Sequence, residues 1–305
     1  MIKIDNLTKS FGQFTAVDGL SFRVAPGEVL GFLGPNGAGK STTMKMITGF
    51  MAPSSGKVTV FENDASVNPL KTKAIIGYLP EGAPSYGDMT TAQFLKFIGK
   101  IRGFRGAELA SRIERVKQQL HLDRVMDQTI DTLSKGFKRR VGMAQAIIHD
   151  PKVLILDEPT DGLDPNQKKE VRELIANLSK DKIVIISTHI LEEVSAVCSR
   201  AIIISGGRIL ADGTPAELEA RSRYHGAISL SLSDAEGAES LLARLSQAGS
   251  VEVDGGNLVV FPNDKPGLFN AVNDLIQQKQ WQVRELHVGR GRLDEVFRTI
   301  TQGAA

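Results

Sequence analysis

A glycine-rich segment and two consecutive carboxylates carry residue types that could do chemistry together. The segment runs from Gly34 to Thr42 and reads GPNGAGKST, and the carboxylates, Asp157 and Glu158, end the run VLILDE. The segment matches the pattern G-x-x-x-x-G-K-[ST] at every fixed position. Glycines at these spacings let successive backbone N–H groups point at one anion, and the lysine adds a cation beside them. This combination favours the binding of phosphate groups.

We therefore predict a nucleoside triphosphate site. Lys40 is expected to reach the β- and γ-phosphates, which gives it a catalytic role, and the Ser41 hydroxyl to bind Mg²⁺. A glycine-rich turn with a chance Lys-Ser is the alternative. It does not explain the buried strand pattern over 28–33 or the helix pattern over 42–47, whose N-terminus would face the phosphates. The residues predicted to bind phosphate are Gly34, Pro35, Asn36, Gly37, Ala38, Gly39, Lys40, Ser41 and Thr42.

The two carboxylates stand where a strand of four apolar residues ends. We assign Asp157 to Mg²⁺ and Glu158 to the general base, or to the orientation of the attacking water. An acidic turn at the end of a strand is the common interpretation of a lone Asp-Glu pair. A complete phosphate-binding loop upstream favours the catalytic interpretation.

Composition indicates a folded chain of more than one domain. It has 305 residues, of which 41% are hydrophobic and 24% charged, and a net charge of +2. That length has room for a domain of ordinary size and a smaller one. Beyond Lys138-Arg139-Arg140 there is no long basic run, so we predict no nucleic-acid partner.

Membrane-spanning and secretory features are absent from the sequence. No segment approaches the ~18 uninterrupted apolar residues of a spanning helix, and the N-terminus MIKIDNLTKS is not typical of a signal peptide. The single cysteine, Cys198, follows a helical pattern and is interpreted as a small buried residue. We predict a cytosolic protein, or one attached to a membrane only through a partner.

Apolar periodicity predicts an α/β fold for residues 1–220. Short strand patterns precede the loop, a mostly helical segment follows at about 88–150, and continuous β-branched runs then alternate with helices. Such runs indicate parallel strands covered on both faces. The pattern over residues 226–305 predicts a separate accessory module with the order βαββαβ and a final helix, which fits a ferredoxin-like α+β fold.

Four further features, in order along the chain, carry a family resemblance. They are LSKGF at 133–137, Asp157-Glu158, DGLD at 161–164, and His189 in Ser-Thr-His. With the phosphate-binding loop, they resemble the nucleotide-binding subunit of ATP-binding cassette (ABC) transporters over roughly residues 1–220. The resemblance implies a P-loop NTPase core with a helical subdomain, ATP and Mg²⁺, and a head-to-tail dimer with a second copy.

Roles for further residues follow from that resemblance. Ser134 and Gly136 would give a hydroxyl and a backbone N–H to the γ-phosphate held by the opposite copy, from the N-terminus of a helix. His189 would contact the γ-phosphate in catalysis, and residues 161–164 would couple the two sites. Phe11 resembles the aromatic residue on which adenine stacks, with a buried core phenylalanine as the alternative.

Two departures from the family pattern change the charge of the site. Lys135 and Phe137 replace the first glycine and the glutamine of the usual LSGGQ, and Glu81 in GYLPE stands where the family has a glutamine that senses Mg²⁺. A carboxylate there is tolerable if it binds the metal directly or through water. We therefore add Glu81 to the predicted metal ligands, as a residue that favours the Mg²⁺-loaded state.

Together with Leu293–Phe297 (LDEVF), these departures resemble exporter-type ATPases of gliding-motility and daunorubicin-type multidrug systems. Such ATPases pair with a separately encoded membrane permease, some with an extracytoplasmic auxiliary subunit. The resemblance implies ATP hydrolysis coupled to export, at the cytoplasmic face of the inner (plasma) membrane. Residues 83–104 would hold the permease coupling helix, although Phe94, Phe97 and Ile98 are expected to be mostly core.

Two other functions fit the sequence less well. A soluble cassette ATPase acting on ribosomes or DNA usually has two cassettes or a long coiled coil, and this sequence has one cassette and no extended heptads. An ATP-regulated binding module without turnover is disfavoured because Lys40, Asp157, Glu158 and His189 are all present. The transported substrate has no signature in these residues.

Overall fold

The computed structural model describes residues 1–234 and 236–302. These residues form two compact units that divide between Thr214 and Pro215. The division lies a few residues before the predicted boundary at 220, so the short helix after Thr214 belongs to the second unit. Among the described residues, no helix has both the length and the apolar character needed to cross a bilayer.

The first unit contains ten strands and seven α-helices in its described residues, with short 3₁₀ turns at Asp123–Val125 and Ile130–Thr132. Their order is β1 (Ile2–Phe11), β2 (Phe14–Val24), β3 (Val29–Leu33), α1 (Lys40–Ile47), β4 (Ser55–Val60), β5 (Asn63–Asp64), α2 (Pro69–Ile75), β6 (Ile76–Leu79), α3 (Thr91–Ile101), α4 (Gly106–Gln119), α5 (Lys135–Ile147), β7 (Val153–Asp157), α6 (Pro165–Leu178), β8 (Ile183–Thr188), α7 (Leu191–Val197), β9 (Arg200–Ser205) and β10 (Arg208–Gly213).

A six-stranded sheet in the order β10-β9-β3-β8-β7-β6 forms the centre of this unit. All neighbouring pairs are parallel except β10 with β9. Every residue of β3, β7 and β8 is buried, as expected for parallel strands covered on both faces. Because Leu33 pairs with Thr188 and Asp157 with Ser187, the carboxyl ends of these three strands meet at one edge.

An antiparallel sheet in the order β2-β1-β4-β5 packs against the central sheet. Ile2 and Ile4 from β1 share one hydrophobic core with Leu30 and Phe32 from β3 and with Met44 from α1. This core fixes the loop between β3 and α1 from both sides. The predicted α/β fold is confirmed.

Helices α3, α4 and α5 form the helical subdomain predicted at about 88–150. A capping box at Thr90 and Gln93 starts α3. Phe94 is buried, whereas Phe97 and Ile98 are only half-buried and Ile101 is 65% exposed. The expectation that this apolar stripe is mostly core is therefore wrong, because its C-terminal part faces a groove rather than a neighbouring helix.

The second unit is a four-stranded antiparallel sheet with helices, in the strand order β12-β13-β11-β14. Its elements are α8 (Pro215–Glu219), β11 (His225–Leu232), α9 (Ala238–Leu242), β12 (Ala248–Asp254), β13 (Asn257–Pro262), α10 (Leu268–Lys279), β14 (Val283–Arg290) and α11 (Leu293–Gln302). From β11 to β14 the order is βαββαβ, as predicted, and assignment to the ferredoxin-like folds stays a prediction. Helix α9 ends before the predicted residue 247, because Leu245 donates to Leu242 in a tighter turn.

Candidate nucleotide-binding site

The loop between β3 and α1 is wedged against the backbone of two other strands. A Cβ on Gly34 would lie 2.4 Å from the carbonyl oxygen of Ile204, and one on Gly39 would lie 2.5 Å from that of Ala16. Gly37 and Gly39 also have positive φ angles of 81° and 101°. Glycine is therefore required for the path of this loop, and the N-terminus of α1 opens directly from it.

Lys40 is the first residue of α1 and is almost fully buried, with 6% of its surface exposed. Its Nζ donates to the carbonyl oxygens of Gly34, at 2.7 Å, and Pro35, at 3.1 Å. Burial lowers the pKa of Lys40, and nearby carboxylates led by Glu158 oppose that shift. The loop thus holds the amine in its own concavity, beside the acidic edge of the sheet.

Asp157 and Ser41 place two oxygen atoms side by side at that edge. Ser41 Oγ donates to Asp157 Oδ1 at 3.3 Å, and Ser187 from β8 donates to the same carboxylate oxygen. Hard oxygen ligands of this kind suit Mg²⁺, which usually takes one or two protein groups and completes its shell with phosphate and water. No cluster of three or more His, Cys, Asp or Glu in the described part of the chain could hold a metal. The donor set fits a magnesium ion shared with a nucleotide.

Glu158 and His189 form a pair beyond the ends of β7 and β8. The imidazole Nδ1 lies 2.9 Å from Glu158 Oε2, and the Glu158 side chain is 12% exposed against 52% for His189. Glu158 has a left-handed backbone, with φ of 50°, and its N–H donates to the Ser187 carbonyl oxygen at 3.0 Å. Burial raises the pKa of Glu158, while the hydrogen bond with His189 opposes the rise.

A buried carboxylate behind this pair was not found from the sequence. Glu193, on α7, is 6% exposed and accepts hydrogen bonds from the hydroxyls of Thr160 and, at 2.9 Å, Thr188. Thr160 comes two residues after Glu158, and Thr188 directly precedes His189. Glu193 therefore joins the two segments that carry Glu158 and His189. The sequence signal would have been an acidic residue on the buried face of a helix, which is rare without partners.

A cavity of about 440 Å³ opens in front of the loop. Phe11 and Phe14, which pair across the β1–β2 hairpin, lie at its mouth and are 48% and 63% exposed. The alternative that Phe11 belongs to the core is therefore wrong, and adenine stacking stays a prediction. Phe14 was missed, although its spacing from Phe11 across a tight hairpin was a usable signal. The residues lining the cavity are Phe11, Phe14, Ala16, Asn36, Gly37, Ala38, Gly39, Lys40, Ser41, Thr42, Glu81 and Glu158.

Ser134 and Gly136 do not line this cavity in a single copy of the chain. Ser134 is exposed at the N-terminus of α5, where its Oγ accepts from the N–H of Phe137 at 3.4 Å. Gly136 is buried, and a Cβ there would lie 2.5 Å from the Gln167 side chain on α6. Of the predicted nucleotide contacts, these two lie apart from the phosphate-binding loop.

Comparison with known proteins identifies relatives that are named as ATP-binding proteins. Residues 17–161 match the family model described as ABC transporter. The chain is 37% identical over 223 residues to the probable multidrug ABC transporter ATP-binding protein YbhF of Escherichia coli (strain K12), covering 73% of this chain and 38% of that protein. It is 30% identical over 303 residues to Nod factor export ATP-binding protein I of Ralstonia nicotianae, covering 99% and 94%.

The chain thus spans less than half the length of the Escherichia coli relative. A solved structure, described as the ATP-binding subunit of an ABC transporter, superposes with a TM-score of 0.67 at 28% identity. The match covers 72% of this chain and 92% of that one. The match to the family model includes the phosphate-binding loop and the Asp157-Glu158 pair. The chain belongs to the family of ATP-binding subunits of ABC transporters.

Proposed function

We propose that this chain binds and hydrolyses ATP as one of two copies that drive a separately encoded membrane permease of an exporter. The observation that carries the proposal is the edge of the central sheet, which brings Lys40, the Ser41–Asp157 pair and the Glu158–His189 pair together. Lys40 would bind phosphate, the Ser41–Asp157 pair would hold the metal ion of the nucleotide, and the Glu158–His189 pair would act on the attacking water.

Binding is the task of the loop. Its backbone N–H groups and the N-terminus of α1 face the phosphates, and the Lys40 amine, already held inside the loop, exchanges carbonyl oxygens for phosphate oxygens. Ser41 and Asp157 would hold Mg²⁺, which neutralises the charge of the phosphates when bound. Phe11, at the mouth of the cavity, would stack on adenine.

Hydrolysis is the task of the Glu158–His189 pair. Glu158 accepts the proton of the water that attacks the γ-phosphate, and its mostly buried position favours a base that retains proton affinity. His189 holds the carboxylate through Nδ1, which leaves the other ring nitrogen to contact the γ-phosphate. Glu193 keeps both residues in place through the two threonines.

A second copy would complete the site. Ser134 is exposed at the start of α5, and the N-terminus of this thirteen-residue helix presents positive potential there. In a head-to-tail pair, Ser134 and Gly136 of one copy would meet the γ-phosphate held by the other. This arrangement explains why these groups lie apart from the loop within one chain.

Steady-state ATPase activity of Glu158→Gln against the wild-type chain tests the hydrolytic assignment. We expect a fall of about 10²–10⁴-fold in kcat, the range for loss of a general base, with ATP binding retained. Glu192→Gln is the matched control, because Glu192 is an exposed glutamate on α7. An unchanged kcat for Glu158→Gln would overturn the assignment.

Glu81 lines the same cavity as Glu158 and is exposed to it. We propose that its carboxylate favours the Mg²⁺-loaded state, by ligation directly or through water. Glu81→Gln should then raise the Mg²⁺ concentration that gives half-maximal ATPase activity. An unchanged Mg²⁺ dependence would remove Glu81 from the set of metal ligands.

A groove of about 600 Å³ between α2, α3 and the C-terminus of α1 is the proposed docking site for the permease. Leu70 and Ile101 line it and are 81% and 65% exposed, and Lys73 and Arg102 lie among the lining residues, which include no carboxylate. Tyr78 and His149 also line it. A permease helix with apolar and acidic side chains would complement the exposed apolar residues and the two cations of the groove.

Co-purification of the chain with its membrane partner tests the groove. Ile101→Glu should abolish co-purification and leave the ATPase activity of the isolated subunit unchanged. Val67→Glu is the control, since Val67 is 73% exposed and lies outside the groove. Equal loss with both variants would rule out the groove as the docking site. Docking there would place the chain at the cytoplasmic face of the inner membrane, and an extracytoplasmic auxiliary subunit stays a prediction.

A further inference from the structure

Strand β14 is an open edge of the sheet in the second unit. It stands at the end of the strand order, and β11 is its one neighbour among the described strands. Its residues are exposed except for a half-buried Gly289. In the part of the chain that the structure describes, no residue from 283 to 289 makes a backbone hydrogen bond beyond the strand ladder. An edge of this kind presents unpaired N–H and C=O groups to a further strand.

The apolar face of the sheet continues onto this edge without a cover. Leu286 and Val288 lie opposite Leu230 and Ile228 of β11. Both β11 residues are fully buried in the core that the sheet shares with α9 and α10, whereas Leu286 is 37% exposed and Val288 44%. Exposed apolar side chains beside free backbone groups are the features that favour the addition of a strand.

A second copy of β14 complements this edge. Two identical antiparallel strands are related by a two-fold axis, and because opposite residues share a face, the axis passes between two copies of one residue. With the axis at Leu286, the two leucines meet, and Glu285 of each copy lies opposite His287 of the other. Each imidazole can then donate to a carboxylate, twice in one dimer. With the axis at His287, Arg284 would instead meet Arg290 of the other copy.

The opposite edge strand, β12, is less suited to pairing. It carries Glu252 and Asp254 and no cation, so pairing with its own copy would bring carboxylates together. Glu252 is also held by Arg223 at 3.0 Å. Contact of β14 with β12 of another copy would leave a free edge on each side and build open chains. The self-complementary edge of this sheet is therefore β14.

We propose that β14 pairs with β14 of a second copy, centred on Leu286, and joins the two sheets into one. The second copy supplies the backbone hydrogen bonds that the edge lacks, and its Leu286 covers Leu286 of the first. This contact involves no nucleotide. It therefore goes beyond the proposed function, and it keeps two copies associated when ATP is absent.

Disulfide cross-linking of the nucleotide-free full chain tests the contact. Cys198 is buried, so a cysteine introduced on the surface is the thiol that reacts under mild oxidation. Leu286→Cys places two thiols across the axis, at a separation that a disulfide can span, and should give a covalent dimer. Val253→Cys, on β12, is the control. Since Val253 is 62% exposed, random collisions would cross-link it at least as well, and equal yields would overturn the pairing.

Exchange of charges tests the register by sedimentation velocity without ATP. Glu285→Lys should weaken dimerisation about tenfold, because it removes the acceptor of both imidazoles, and His287→Glu should do the same by setting carboxylates against each other. The two substitutions in one chain should restore dimerisation. Asp274→Lys, at an exposed position of α10, is the control for the change of charge and should leave the dimerisation constant unchanged.

Several outcomes would overturn the pairing. They are a wild-type chain that stays monomeric without ATP at its highest soluble concentration, open-ended oligomers, and a loss that persists in the doubly substituted chain. Protection of the β14 amides from hydrogen exchange only in the complex with the permease would assign the edge to that partner instead. A chain that cross-links through Leu286→Cys but hydrolyses no ATP would refute the proposed function and leave this contact standing.

Discussion

Glu193→Gln is the substitution whose consequences the structure defines most closely. The carboxylate is 6% exposed, and both of its oxygens accept from threonine hydroxyls, those of Thr160 and Thr188. Thr188 Oγ1 also accepts from the N–H of Ile190 at 3.0 Å, so its own proton has to go to Glu193. An amide keeps one oxygen and turns the other into an NH₂ group, which cannot accept.

One of the two threonine hydroxyls therefore loses its charge-assisted hydrogen bond and faces the NH₂ group of the new side chain, which is itself a donor. Hydrogen bonds to charged groups contribute about 1.5–3 kcal/mol each, so the free energy of unfolding of the first unit should fall by that amount. For a unit of this size, the unfolding temperature should drop by roughly 3–12 °C. Because Thr160 and Thr188 hold the segments of Glu158 and His189, kcat should fall as well, while the KM for ATP stays near its wild-type value.

Differential scanning calorimetry of the full chain and steady-state ATPase assays measure both effects. Glu192→Gln, at an exposed position on the same helix, is the control for removing a charge from α7. An unfolding temperature and a kcat equal to those of the control would refute the role of Glu193. A rise in KM without a change in kcat would place the defect in the loop instead.

Three further results are expected. ATPase activity should fall with decreasing pH through a pKa above that of an ordinary glutamate, because burial raises the pKa of Glu158; His189→Ala, which removes a hydrogen bond that lowers it, should move this limb to higher pH. Gly39→Ala should destabilise the chain more than Gly37→Ala in urea unfolding, since both have positive φ but only the first Cβ would strike backbone. Cys198, whose pKa burial raises to about 12, should react with Ellman's reagent only after unfolding, and fast reaction in buffer would contradict its burial.

The ordered motifs and the strand patterns predicted most of the first unit. Parallel strands were inferred from apolar runs such as Val153–Leu156, and once β3, β7 and β8 are parallel, their carboxyl ends share one edge. The proximity of Lys40, Asp157 and Glu158 to one another follows from that topology. Their separation from Ser134 also follows, because α5 lies in the helical segment between β6 and β7.

Tertiary neighbours explain what the sequence did not predict. Nothing local to Glu193 or Arg139 marks them as buried, since each sits among charged residues on an amphipathic helix. Their burial depends on which helix face meets the sheet edge. The half-exposed stripe of α3 was misjudged for the opposite reason, because helical periodicity predicts an apolar face but not the partner that covers it.

The separation of Ser134 from the loop has a thermodynamic consequence. If the second copy supplies part of the γ-phosphate site, ATP must strengthen the dimer by the same factor by which the dimer strengthens ATP binding. Both factors are measurable in the Glu158→Gln chain, from sedimentation with and without ATP and from fluorescent ATP titrations at low and high protein concentration. Linkage makes the two factors equal, so a common factor above one is the result expected of a shared site, and a dimer that forms equally well without ATP would assign the pairing to another surface.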